Sequence, residues 1–149
     1  MKKRLLGLML LFPVWLMAQV TIVQPINGEP ALEKVQTFPM FPVCEDYAGF
    51  NARQLCFQKQ MDQFLAKELR MPQEAKDAGV DGWVKVQYIV EKDGSIREVT
   101  ALEDPGYGCA EEVARVLRSL PRLIPGVHLG KVVRVKQMLS VQFSTPKKG

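Results

Sequence analysis

The stretch Gly82–Leu102, GWVKVQYIVEKDGSIREVTAL, constrains this chain more than any other. Trp83, Val84, Val86, Tyr88, Ile89 and Val90 are β-branched or aromatic, the residue types that suit a pleated surface, and Lys85 and Gln87 interrupt them at every second position. Alternation places Val84, Val86, Tyr88 and Val90 on one face and Trp83, Lys85, Gln87 and Ile89 on the other. Asp93-Gly94 supplies the turn, because glycine takes positive φ freely and aspartate tolerates it. The return strand carries Ile96, Val99 and Leu102; that spacing departs from strict alternation and predicts a bulge or an early loss of pairing near Thr100. A hairpin alone is marginal in water, so its apolar face must be covered by the rest of the chain.

With 149 residues the chain is long enough for one domain. Its first residues read as an export signal spanning 1–18. Lys2, Lys3 and Arg4 form a basic head, Leu5 to Met17 is apolar, and Ala18 offers a small residue for cleavage. The apolar run, interrupted by Pro13, is shorter than the about 20 residues a bilayer requires. An uncleaved inner-membrane anchor is the competing reading. Because Lys2, Lys3 and Arg4 precede Ala18 with no acidic residue among them, export lowers the formal charge from +4 to about +1. The basic balance is therefore mostly the signal, and a nucleic-acid-binding role is discounted.

Residues 19–43 read as an extended arm, punctuated by Pro25, Pro30, Pro39 and Pro42. Val20 to Val23 could add a short edge strand, and Phe38 to Pro42 is apolar enough to lie against the core. The domain proper is expected over 44–149. Cys44 and Cys56 flank a polar loop and, in an exported protein, read as a disulfide; a redox pair is the weaker alternative, since the spacing is not C-x-x-C.

Phe57 to Arg70 is a helix by its stripe of Phe57, Met61, Phe64, Leu65 and Leu69, and Met71-Pro72 ends it. A short helix over 72–78 follows, with proline in its first turn. Glu103 to Gly108 is a loop. Ala110 to Leu120 is a helix whose buried stripe is Val113, Val116, Leu117 and Leu120, with Glu111 and Glu112 at its start and arginines toward its end. After a turn-rich connection, Lys131 to Phe143 reads as one strand. Val133, Val135, Leu139, Val141 and Phe143 share a face with Gln137; Arg134, Lys136, Met138, Ser140 and Gln142 share the other. A helical return lets this strand pair antiparallel with the first. The expected fold is α+β, a two-layer αββαβ arrangement with a three-stranded antiparallel sheet in order 2-1-3 and helices packed on one face.

Catalytic constellations are thin, and no enzymatic activity or cofactor is expected. His128 is the single histidine and reads as an exposed residue of a Gly-rich turn. Cys109 precedes a helix whose amides could lower a thiol pKa, so a Cys109–His128 dyad is conceivable, but no nucleophile signature surrounds it. Glu103, Asp104, Glu111 and Glu112 fit a solvated helix start, and Gly106-x-Gly108 lacks the context of a phosphate loop. No metal site is expected.

One ordered set of residues resembles the C-terminal domain of TonB, the periplasmic energy transducer of Gram-negative bacteria. It runs Pro72-x-x-Ala75, Gly79-x-x-Gly82-x-Val84-x-Val86-x-Tyr88-x-Val90, Asp93-Gly94 and Val99, then Val113, Pro121-x-x-x-Pro125-Gly126, Gly130 and Val133-x-Val135. Met71 stands where the family usually has an aromatic, and Leu123 where it often has Trp; both remain apolar. The likeness covers roughly Gln60 to Phe143, and the chain looks like that domain exported alone. The resemblance implies a binding module that takes up an extended segment of an outer-membrane TonB-dependent receptor, or another envelope protein, by β-strand addition. The last strand would present the edge through Arg134, Val135, Lys136, Gln137, Met138, Leu139 and Ser140, with Arg134, Lys136 and Met138 beside the ligand. Of Lys136 and Met138, one amide is expected to face the ligand and the other the neighbouring strand. The competing reading is that Arg134 and Lys136 merely guard the edge against aggregation. An assembly role remains the second functional class, with the edge pairing a second copy, as in a homodimer, or the chain's own arm. The expected location is the periplasm, with no membrane span after cleavage.

Overall fold

The computed structural model describes residues 29–147. The expected export signal, its cleavage point and the edge strand expected at Val20 to Val23 lie outside that range.

The hairpin forms as expected. Strand β1 (Asp81–Val90) pairs antiparallel with β2 (Ile96–Glu103) across the Asp93-Gly94 turn. Register shifts occur between Lys85 and Val86 and between Tyr88 and Val90, so the irregularities in β2 fall on both sides of Thr100. Leu102 is left out of the regular pairing and is exposed. Helix α1 (Phe50–Glu68) and the short α2 (Gln73–Asp77) precede the hairpin, and α3 (Cys109–Arg118) follows it. Next come β3 (Gly126–His128), β4 (Lys131–Val133) and β5 (Val135–Ser144). The main sheet has the order β2-β1-β5, all antiparallel, which is the expected 2-1-3 arrangement.

The core lies between this sheet and the helices. Val84, Val86, Tyr88 and Val90 of β1 meet Val113, Val116 and Leu117 of α3, and Met61 and Leu65 of α1 belong to the same buried cluster. Trp83, on the opposite sheet face, is exposed. Glu112 does more than begin a solvated helix: its carboxylate accepts from the Arg70 backbone amide at 2.9 Å and from Arg115, tying the end of α1 to α3. The Arg115 hydrogen bond is the main reason its carboxyl titrates below the ordinary glutamate range.

Most element ends fall within two residues of the sequence expectation, and two boundaries differ by more. Helix α1 begins at Phe50 instead of Phe57, after Gly49 at φ 86°. In its first two turns only Cys56 is buried, Phe50 and Leu55 are exposed and Ala52, Arg53 and Gln54 are half-buried, so helix-forming residues carry the helix without an apolar stripe to mark it. The expected last strand is two strands. It breaks at Arg134, so that β4 pairs with β3 in a separate two-stranded sheet while β5 pairs with β1. Leu129 and Gly130, both at positive φ, turn the chain between β3 and β4.

Residues 29–43 lie along this body. Leu32 bridges Val135 in parallel, Thr37 pairs with Val127, and Met40 pairs with Ile124. Met40 and Phe41 are buried, and Cys44, at the end of a short 3-10 turn, is joined to Cys56 in α1.

Candidate functional site

A strand at a sheet edge offers its free side as a row of unpaired amides and carbonyls, so the site is defined by which groups of β5 face away from β1. The β1–β5 ladder runs without a bulge from Asp81↔Ser144 to Val90↔Val135. At its far end the Thr145 amide donates inward to the Val80 carbonyl, while the Lys136 amide donates outward to Leu32 at 2.9 Å. Along a regular strand direction alternates, so Val135, Gln137, Leu139 and Val141 bond β1, and Lys136, Met138, Ser140 and Gln142 point outward. Lys136 and Met138 therefore share one direction. The expectation that only one of them faces a ligand is overturned by the two-residue period.

Side chains alternate over the two sheet faces in step with this. Gln137, on the helix side opposite Tyr88, accepts the Tyr88 hydroxyl at 3.0 Å. Burial pushes that hydroxyl's pKa far up, so it stays a neutral donor. Leu139 packs against the core and Val135 is fully buried. On the other face Met138 is exposed opposite Gln87, and Ser140 lies exposed opposite Lys85. Lys136 pairs with Glu33 of the arm at 3.2 Å.

Arg134 is not beside the edge. It is 2 % exposed and lies between β4 and β5, with its guanidinium donating to both Glu91 carboxylate oxygens, to Glu98 at 2.7 Å and to the Glu29 carbonyl at 2.6 Å. Both readings made from sequence, ligand contact and edge guard, give way to a buried ion cluster. A desolvated arginine needs carboxylate partners, and the break in the strand turns it inward to reach them. Glu91 and Glu98 are the residues sequence reasoning missed. The signal available was a lone charge inside the apolar run Val132-Val133-Arg134-Val135.

Cys44 and Cys56 are joined, as expected, with 5.7 Å between their Cα atoms. Cys109 is a free, fully buried thiol. Burial first, then the carboxylates of Asp104 and Glu111, push its pKa up, opposite to what a nucleophile needs. His128 lies in β3, half-buried, instead of in an exposed turn, and its buried Nδ1 has no hydrogen-bond partner among the described residues. Among the described residues no group of three or more His, Cys, Asp or Glu is placed to hold a metal ion, and no helix is long and apolar enough to cross a membrane.

A three-stranded antiparallel sheet carries helices on one face, and β5 is one of its two edge strands. Residues 67–145 match the family described as Gram-negative bacterial TonB protein C-terminal, and the chain belongs to this family. It is a family of periplasmic, non-enzymatic domains associated with receptor interaction. The chain is similar to the solution structure of the Pseudomonas aeruginosa TonB C-terminal domain, at 28% identity over 54% of this chain and 82% of that one, with a TM-score of 0.44. A Helicobacter pylori TonB C-terminal domain is similar at 16% identity over 62% and 83%, with a TM-score of 0.43. No match was found among curated proteins.

Proposed function

We propose that this protein works in the periplasm by receiving an extended segment of an outer-membrane receptor as an added strand on β5. The observation that carries this reading is the outward row of Met138, Ser140 and Gln142, whose amides have no backbone partner among the described residues. Main-chain bonds of this kind give affinity, and flanking side chains give register. Met138 and Gln142 on the open face, with Leu139 and Val141 on the helix side, would flank the guest. Export by a signal cleaved near Ala18, an arm over 19–43 and a domain over 44–149 belong to the same proposal.

The test is an NMR titration of the folded protein with peptides copied from the N-terminal segments of outer-membrane receptors. Shifts should concentrate on Met138 to Ser144 and fade toward β2. Shifts confined to α1 or to β3 and β4 would overturn the reading. A second reading, in which the edge serves assembly, is favoured by one observation: Leu32 of the chain's own arm already bridges β5 at Val135. Mass in solution that rises with concentration would support pairing with a second copy.

A further inference from the structure

The arm divides into a fixed part and a loosely held part. From Thr37 onward it is fastened by reciprocal backbone bonds, Thr37 with Val127 and Met40 with Ile124, by burial of Met40 and Phe41, and by the disulfide. Residues 29–36 have far less. Two backbone bonds hold Leu32, its amide to the Arg134 carbonyl and its carbonyl to the Lys136 amide, both at 2.9 Å. The remaining ties are the Glu33–Lys136 and Glu29–Lys92 ion pairs and single bonds from Arg134 to the Glu29 carbonyl and from the Leu129 amide to Gln36. Pro30, Glu33, Lys34 and Gln36 are exposed. Surface ion pairs contribute little to stability.

The geometry points to a latch: Leu32, carried on residues 29–36, occupies the first position of the β5 edge as a displaceable single bridge, which a guest reaching Lys136 must lift off. This deepens the reading of β5 as a receiving edge and rests on it. Leu32 takes the outward amide of Lys136, the group that would otherwise extend the row formed by Met138, Ser140 and Gln142. Lifting it strands no buried charge, because Arg134 keeps Glu91 and Glu98 when it loses the Glu29 carbonyl. The chain can pivot where the fixed part begins, at Thr37. A guest that pairs from Met138 onward leaves the latch closed; one that covers Lys136 competes with Leu32. The latch therefore sets where a guest strand starts, and its opening equilibrium reduces the affinity of any longer guest.

Amide hydrogen exchange on the full chain tests the latch without a guest. The Lys136 amide should be protected relative to Met138 and Ser140, yet exchange about tenfold or more faster than Leu139, whose amide bonds β1. Leu32→Pro removes the amide that reaches Arg134; it should bring Lys136 to the rate of Met138 and leave Leu139 unchanged. Glu33→Ala should move Lys136 part of the way. Lys136 exchanging in step with Leu139, or Leu32→Pro exposing Leu139 as well, would show the arm to be a structural strand and overturn the latch. Two receptor-derived peptides, one spanning the whole edge and one confined to Met138–Ser144, carry the test to binding. Leu32→Pro should strengthen the longer by the factor that protects Lys136 in the unaltered chain, and leave the shorter unchanged. Equal gains for both would overturn the latch. If neither peptide binds β5, the receiving-edge reading fails, and exchange at Lys136 still decides whether the arm opens.

Discussion

Gly94 sits so close to the backbone of Leu123 that a Cβ built on it would fall 1.8 Å from the Leu123 carbonyl oxygen. The Leu123 amide in turn donates to the Gly94 carbonyl at 2.9 Å. The hairpin turn is thereby stitched to the segment that follows α3, and that segment leads into the β3–β4 hairpin and β5. Gly94 also has φ 81°. Turn conformation and close approach both exclude a side chain at this position.

Gly94→Ala should therefore destabilise the protein by about 3 kcal/mol or more, since neither contributor can relax without separating the turn from Leu123. Gly79→Ala is the control. Gly79 has φ 65° but nothing within 4 Å of a built Cβ, so only the backbone penalty of about 1–2 kcal/mol applies. Urea unfolding of the two variants should separate them, and equal losses would contradict the packing account.

The hairpin and α3 were legible because their signals are local: period-two alternation through Val84 to Val90, a two-residue turn, and a stripe through Val113, Val116 and Leu117. The first two turns of α1 were not, because periodicity reports burial and those turns bury only Cys56. The break at Arg134 was illegible for another reason. Its carboxylate partners lie 43 and 36 residues away in sequence, and a charge between valines reads equally as an edge guard. Nor does a single bridge, such as Leu32 to Val135, leave any period to read.

Asp93 organises the same turn. Its carboxylate accepts from the Ser95 amide and hydroxyl and faces Arg97 and Arg122. The Ser95 hydrogen bonds, more than the nearby arginine charge, lower its pKa from 3.8 to about 2. A depressed folded pKa contributes stability that is present above the unfolded value and is lost as protonation proceeds downward. The contribution should be intact above pH 3.8 and fade toward about 2. Asp93→Asn should flatten this part of the stability profile, measured by urea unfolding at stepped pH; an unchanged acid limb would contradict it.

The disulfide ties the 3-10 turn at Pro42–Cys44 to the second turn of α1. By loop entropy, replacing both Cys44 and Cys56 with serine should lower stability by about 3 kcal/mol. Cys44 and Cys56 belong to the same buried cluster as β1 and α3, so chemical shifts should change at core residues of that cluster while the strand pairing of the sheet persists. Cys109, buried and with a raised pKa, should stay unreactive toward a thiol reagent until the protein unfolds. Modification of Cys109 in the folded state at the rate of an exposed thiol would contradict this placement.

Arg134→Ala would leave Glu91 and Glu98 without the cation that joins them. Breaking a buried ion cluster from one side destabilises by about 3–5 kcal/mol, whereas Lys136→Ala, at an exposed pair with Glu33, should change stability by about 1 kcal/mol or less. Thermal unfolding of the two variants measures the contrast. Comparable losses would mean that Arg134 behaves as a surface charge.

Proline scanning of β5 separates folding from binding at single-residue spacing. Proline has no amide to donate, so its effect depends on where the replaced amide was aimed. The amides of Gln137 and Leu139 bond β1 in the middle of the sheet, and proline at either position should unfold the domain. The Met138 amide points outward with no backbone partner among the described residues, so Met138→Pro should leave the domain folded, as edge positions allow. It should nonetheless weaken capture of an extended receptor peptide, because it deletes one bond of the added ladder, worth about 1 kcal/mol or roughly fivefold in affinity. Met138→Ala keeps the amide and should bind close to normally, losing only side-chain contact. Circular dichroism establishes which variants fold, and titration of the folded ones with peptide gives affinity. Binding that falls as far for Met138→Ala as for Met138→Pro would mean that the side chain, and not the strand edge, makes the contact.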